Sequence, residues 1–363
     1  MADNEKRKTT GSVMKLHFVK AAFALVGVAT TAFVSTVGKA SADTVADFYK
    51  GKRVTVYIGS SAGGGTDLYG RVFAQFIGKH IPGNPAVVVS NMPGANGLNL
   101  TNALYRILPR DGTALGTFDR NAVMHSIWEN PKAQFVATEL NWIGSANIDA
   151  STCVTWHTSG IDTLAAFMSQ PVVLGSTAIY HANLLNSLFG GKLKQVTGYP
   201  GGNDVLLALE RGEVQGRCNW SWSSIISTRP DWVRDKKINI IVQFAEEKHP
   251  DLLNVPLVSE LARSDRDRQM IALILSSQIM ARPFAAPPGI PADRVTALRQ
   301  AFIAVTKDSD FIASTSTQQL EVQPVSGEQL QDIVGRMTAT PRDVIRQLRD
   351  IALGPEASAA LDK

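Results

Sequence analysis

The sequence predicts an α/β fold in two units with a cleft between them. Short strand-like runs alternate with amphipathic helical segments from residue 53 onward, the alternation restarts after residue 150, and no low-complexity linker parts the two series. The first series opens with "RVTVYIG" (53–59), read as a strand. A helix follows in which Leu68, Val72, Phe76 and Ile77 recur at helical spacing. "PAVVVSN" (85–91) is the next strand, closed by the turn "MPGANG" (92–97). "LNLTNALYRIL" (98–108) is helical, with Leu100, Leu104 and Leu108 on one face, and "ALGTFD" (114–119) is a third strand. This β-α-β-α-β order predicts a mainly parallel sheet with covering helices.

The second series runs strand "TCVTW" (152–156), helix "IDTLAAFMSQ" (161–170), strand "PVVLGS" (171–176) and helix "HANLLNSLFG" (181–190). Strand "KQVTGY" (194–199), helix "GGNDVLLALERGE" (201–213) and strands "VQGRCNW" (214–220) and "INIIVQFA" (238–245) complete it. The last segment passes from a strand through a Pro/Gly-rich loop into a helix near Pro291, where proline suits a first turn, then into helices around 327–338 and 341–353. Open α/β sheets bind ligands at the carboxyl ends of their strands, and Gly63–Gly65 lie at such an end.

At 363 residues, 44% apolar and 19% charged, the chain is globular and long enough for two domains. No apolar run beyond the N-terminus is long enough to span a bilayer. The N-terminus reads as an export signal: Lys6, Arg7, Lys8, Lys15 and Lys20 precede "AAFALVGVATTAFVSTVG", and Ala40-Ser41-Ala42 is a cleavage pattern that would leave Asp43 first in the mature chain. Met1 and Met14 are both candidate starts, and an uncleaved anchor is the alternative. Residues 1–42 hold six Lys/Arg against two Asp/Glu, so they carry the whole formal charge of +4 and the remainder balances to zero. No basic surface for nucleic acid is expected. Cys153 and Cys218 fall in strand-like runs that could be neighbours in one sheet, and export permits a disulfide; two buried thiols are the other reading.

The glycines after the first strand, "GSSAGGGTD" (59–67), admit several chemistries. A phosphate-binding G-x-x-x-x-G-K-[ST] loop fails because the next lysine is Lys79, and G-x-G-x-x-G fails at Leu68. Gly59-Ser60-Ser61-Ala62-Gly63 matches G-x-S-x-G, the nucleophile elbow of α/β-hydrolases, with His157, His181 and His249 downstream. Too few mature residues precede Ser61 for the usual preceding strands, and Gly64 and Gly65 are poor helix starters. The remaining readings are a tight turn, or an anion cradle in which glycine amides and a helix N-terminus face a carboxylate while Thr66 or Asp67 caps the helix. No His/Cys/Asp/Glu set has metal-ligand spacing, so neither metal nor cofactor is expected.

Here the sequence resembles a family: the periplasmic receptors of tripartite tricarboxylate transporters, the TctC/Bug proteins. The export signal, strand, G-G-G-T-D and amphipathic helix match it. So, in order, do "NMPGANG" (91–97), "PRDGTALGTF" (109–118), "GYPGGNDVLLALERGEVQG" (198–216), "NVPLVSEL" (254–261) and "FAAPPGIPADRV" (284–295). The resemblance implies a type II, two-lobed Venus-flytrap binding protein, with lobe 1 at 44–148 plus 280–363 and lobe 2 at 149–279. It implies a monomeric, non-enzymatic periplasmic receptor that delivers a small organic acid to membrane permease subunits. The first loop would bring Ser61, Ala62, Gly63, Thr66 and Asp67 to a carboxylate. Asp119, Arg120 and Asn121 would follow from the loop after "ALGTF". Across the cleft stand Ser176, Thr177, His181, Asn183, Tyr199, Gly201, Asp204 and Asn219. For Thr66, Asp67 and Asp204 a plain helix-capping role competes; for His181, a solvated helix position. The family's proline before the glycines is replaced by Ser60-Ser61-Ala62, so the proximal pocket is more polar. Arg120 is a candidate partner for a second acidic group, which suggests a dicarboxylate or an aromatic carboxylate. Two rivals stand beside the transport receptor: a secreted serine hydrolase using Ser61, and a receptor that presents its ligand to a membrane kinase.

Overall fold

The computed structural model describes residues 44–354 and Ser358; the expected leader and its cleavage site lie outside them. The chain runs α1 (Val45–Tyr49), β1 (Arg53–Ile58), α2 (Gly65–Ile77), β2 (Ala86–Asn91), α3 (Leu98–Arg106), β3 (Ala114–Thr117), α4 (Ala122–Ile127) and β4 (Asn141–Ser145). It continues through β5 (Ser151–Trp156), α5 (Leu164–Ser169), β6 (Val172–Gly175), α6 (Tyr180–Phe189), β7 (Leu193–Val196), α7 (Gly202–Glu210), β8 (Gly216–Ser221), α8 (Trp222–Thr228), α9 (Pro230–Arg234), β9 (Ile238–Phe244) and α10 (Asp265–Ser276). It ends with β10 (Pro283–Ala286), α11 (Ala292–Val305), α12 (Ser309–Thr317), β11 (Val325–Ser326), α13 (Gly327–Thr338) and α14 (Arg342–Leu353). No described helix is long and apolar enough to cross a membrane.

The strands form two sheets, ordered β11-β4-β10-β3-β1-β2 and β7-β6-β8-β5-β9. β1 pairs in parallel with β2 and β3, and β6 with β7 and β8, as a β-α-β alternation dictates. The sheets are nevertheless mixed rather than mainly parallel. β10 runs antiparallel to both β3 and β4, and β5 antiparallel to both β8 and β9. The reason is the crossing: β10 returns from the second sheet and enters the first against its direction. Cys153 on β5 and Cys218 on β8 are joined by a disulfide within the second sheet.

Phe73 anchors α2 beneath the first sheet. Its ring stacks on Phe302 at 4.7 Å and lies 4.8 Å from Phe284 and 4.9 Å from Phe311, so α11 and α12 are fastened to the same face. Truncating such a ring costs about 3–5 kcal/mol. A second apolar core runs from Leu98, Phe118 and Trp128 near the first sheet to Phe167, Leu184 and Phe244 near the second. α14 extends this sharing, because the Asn183 side-chain amide on α6 donates to the Ala352 carbonyl at 2.6 Å.

Candidate functional site

Between the sheets lies a cavity of about 70 Å³. One wall is the junction of β1 with α2. Gly63 has φ +83°, the left-handed region glycine adopts freely, and it turns the chain into α2. The N-cap is Gly64, with no side-chain cap, and Gly64, Gly65 and Thr66 line the cavity. The first N–H groups of α2 therefore keep their donors for something outside the helix, at its positive end.

Thr66 and Asp67 do not cap the helix, because both sit inside it. Asp67, 2% exposed, braces the loop instead: its carboxylate accepts from the Gly63 amide at 2.9 Å, Arg71 Nε at 2.8 Å and Asn91 Nδ2 at 2.8 Å. Burial pushes this carboxyl up, but those hydrogen bonds outweigh it and hold it below the ordinary carboxylate range.

The facing wall repeats the device. α7 begins at the N-cap Gly201, again without a side-chain cap, and Gly201, Gly202 and Asn203 line the cavity. A Cβ on Gly201 would lie 2.1 Å from Ser61 Oγ, and one on Gly65 would lie 2.0 Å from Ser224 Oγ. Glycine at these two positions is what lets the walls meet. Between them stands Arg217 on β8, 5% exposed, whose Nη1 donates to the Gly202 carbonyl at 2.9 Å. Burial pushes its pKa down to about 10, leaving it charged at neutral pH. It forms no ion pair among the described residues.

Four further contacts close the cleft. Ser61 Oγ donates to Asp204 at 3.2 Å, Asn121 Nδ2 to Asn219 Oδ1 at 3.1 Å, Asn96 Nδ2 to Tyr180 OH at 3.1 Å, and Arg120 Nη1 to Ser221 Oγ at 3.1 Å. On the floor, Arg282 donates to Ser223 Oγ at 2.9 Å and Ser224 Oγ at 2.7 Å and lies 3.5 Å from Asp149.

Of the residues singled out from sequence, Gly63, Thr66, Asp119, Thr177, Gly201 and Asn219 line the cavity. Asn219 does so from the left-handed region, φ +56°. Ser61, Asp204 and Asn121 serve as struts across the cleft. Ala62 is exposed outside the cavity, and Tyr199 packs with the apolar cluster of the second sheet. Three of the expected residues have partners within the protein. Ser176 Oγ is turned back on the Ala178 carbonyl, and Asn183 is spent on Ala352. His181 is fully buried, not solvated: its ring meets Phe244 edge-on at 4.4 Å, and burial pushes its pKa down to about 3. For His181 and Asn183 the cause is their place inside α6, where both side chains are taken up by packing partners, Phe244 and the Ala352 carbonyl.

The sequence reading missed Arg217, Arg282, Asn96, Ser221 and Ser224. A charged residue inside a buried strand such as "VQGRCNW" was the available signal for Arg217. The elbow reading of Ser61 finds no histidine: the hydroxyl bonds Asp204. Among the described residues, one trio of possible metal-ligating side chains comes together, His249, Asp251 and Glu321. Both ring nitrogens there are engaged: Nδ1 accepts from the Asp251 amide at 3.2 Å and Nε2 lies 3.4 Å from Glu321, so the trio reads as a hydrogen-bonded histidine.

Two α/β sheets flank a closed cleft, with helix N-termini facing across it, in a two-lobed fold. Among solved structures, the fold is similar to those of TctC/Bug-type periplasmic solute-binding proteins. A TctC solute-binding protein from Polaromonas matches with TM-score 0.54 and 18% identity over 82% of this chain and 99% of its own. The periplasmic binding protein BugD matches with TM-score 0.65 and 16% identity, over 84% and 98%. Rpa4515 of R. palustris, solved with adipate, matches with TM-score 0.64 and 17% identity, over 83% and 98%. At these identities the likeness is one of fold. No protein-family model and no curated protein matches the sequence.

Proposed function

We propose that this chain is an exported receptor that captures a small organic acid in the periplasm and presents it to the membrane permease of a tripartite tricarboxylate-type transporter. One observation carries the reading: two uncapped helix N-termini, of α2 and α7, face one cavity from opposite walls with the buried cation Arg217 between them. That arrangement offers converging N–H donors and positive charge to a carboxylate. A ligand touching both walls gains contacts that exist only in the closed form, so binding and closure are coupled. The adipate bound by Rpa4515 is consistent with this chemistry.

Calorimetry and thermal shift against a panel of organic acids test the reading. A binder is expected to raise the melting temperature by mass action and to lose affinity in Arg217→Met. A panel with no binder at millimolar concentration, or covalent labelling of Ser61 by a fluorophosphonate, overturns it. N-terminal sequencing of the exported protein is expected to begin at Asp43.

A further inference from the structure

A second polar cavity lies outside the cleft, between the end of α4 and the C-terminal helices. It measures about 180 Å³ and shares no lining residue with the cleft cavity. That is well above the roughly 15 Å³ that one water needs. One wall is formed by residues 126–129, and the other by α14. Arg342, Arg346 and Arg349 all line it, and their helical spacing puts three guanidiniums on one face of α14. The cavity sits at a seam of the fold. α4 follows β3 of the first sheet, the Trp128 ring meets Tyr180 of α6 edge-on at 5.1 Å, and α14 is fastened to α6 through Asn183.

Two independent observations point to an anion. Trp128, 1% exposed, lines this cavity, and its indole N–H is buried without a hydrogen-bond partner. Buried polar groups are nearly always paired, and an indole N–H only donates, so what it lacks is an acceptor. The charge is unbalanced in the same place. The ion pairs of α14 engage Arg342, Asp343, Arg349 and Asp350 and leave Arg346 with none among the described residues. Arg342 lies 3.4 Å from Glu129, and both side chains are mostly exposed, so solvent screens that pair. Glu129 thus acts as an internal stand-in: its carboxylate shows what the arginines accept. Displacing it leaves two guanidiniums, Arg342 and Arg346, facing one guest. A phosphate dianion matches that charge, and its oxygens take guanidinium donors bidentately.

We propose that this cavity is a second anion site, separate from the cleft, in which Arg342, Arg346 and the Trp128 indole N–H hold a small phosphate-class oxyanion, either free phosphate or a phosphomonoester. The inference uses no cleft residue and stands apart from the organic-acid reading above.

The test is calorimetric titration with inorganic phosphate and with glycerol phosphate at pH 7.5 and constant ionic strength. Wild type is expected to bind one or both with Kd below about 1 mM, and the tighter of the two names the source of the phosphate. Arg346→Gln, a change at an exposed position, is expected to weaken binding about 10-fold. Glu129→Gln removes the internal competitor and is expected to tighten it about 3-fold. In a proton–nitrogen NMR spectrum, the indole peak that Trp128→Phe lacks should shift with the same midpoint. The cleft is the other place phosphate might go, so Arg217→Met is expected to leave the phosphate affinity unchanged. Kd above about 1 mM for both probes overturns the site, as does wild-type affinity in Arg346→Gln or a loss of affinity in Arg217→Met. Should Trp128→Phe fail to fold, the contrast between Arg346→Gln and Arg217→Met still decides.

Discussion

The mouth of the cleft and its floor solve the same electrostatic problem by different means. At the mouth, positive potential comes mainly from backbone: two helix N-termini with glycine N-caps and a loop pre-braced by Asp67 and Asn91, with Arg217 as the one cation between them. On the floor it comes from side chains, Arg120 and Arg282, with only Arg282 paired to a carboxylate. Amides at a helix end are fixed by the helix and need no counter-charge. A buried guanidinium demands one, so the floor is where removal of a single group should hurt most.

The largest expected effect is therefore Arg282→Met. It strands Asp149, whose side chain is fully buried, without its cation and leaves Ser223 and Ser224 without their donor. Breaking one side of a buried pair costs about 3–5 kcal/mol, readable by urea denaturation. A loss below about 1 kcal/mol would mean that the serines alone hold Asp149.

At the mouth the matching change is Gly65→Leu. Its Cβ would lie 2.8 Å from Ser224 Cβ and 3.3 Å from Ser224 Cα, so backbone as well as a hydroxyl must move. The walls should stay apart, weakening an acid found to bind wild type by more than about 100-fold with little change in unfolding free energy. Gly64→Ala is the control, since nothing lies within 4 Å of the added carbon and its φ of −85° is ordinary. Equal loss in both variants would move the effect from closure to the loop backbone.

The contrast also explains what the sequence made legible. The mouth is local: a strand, glycines and an amphipathic helix in succession announce "VTVYIGSSAGGGTDLYG" as a strand-to-helix junction. Its twin at Gly201–Asn203 was visible for the same reason. The floor is assembled from residues 120, 149, 219, 221 and 282, far apart in sequence, and only burial reveals that Arg217 and Arg282 sit inside the protein rather than on its surface. The disulfide was open from sequence because strand propensity does not say which strands are neighbours. The mixed sheet was missed because β-α-β order specifies direction only within a lobe, not where the chain crosses back.

Two buried histidines extend the comparison to pH. Burial pushes His181 down to about 3 and His125 down to about 4. Each stays neutral when folded but is protonated when unfolded below about pH 6.5. Their stabilisation is present above that pH and is lost as pH falls toward the folded values, at about 1.4 kcal/mol per pH unit for each group. Urea midpoints between pH 6 and 4.5 should drop steeply, and His181→Phe should remove about half of the slope from this pair.

His249 has the opposite sign. It follows β9 of the second sheet, and its Nε2 lies 3.4 Å from Glu321, which precedes β11 of the first. The hydrogen bond that the ring donates to Glu321 raises its pKa, burial opposes that, and the Asp251 and Asp149 charges add to the rise. A raised folded value means that the stabilisation is complete below about pH 6.5 and fades as pH rises through the folded value. This pair ties the segment after β9 to the segment before β11, so loosening it favours separation of the two sheets as well as unfolding. The expected effect is the smallest of the set because Glu321 is a third exposed and solvent screens the pair. Ligand affinity should decline modestly from pH 6.5 to 8.5 in wild type, and Glu321→Gln should flatten that decline without altering the acid-side slope set by His181. A Glu321→Gln profile that tracks wild type above pH 6.5 would assign the decline to another group.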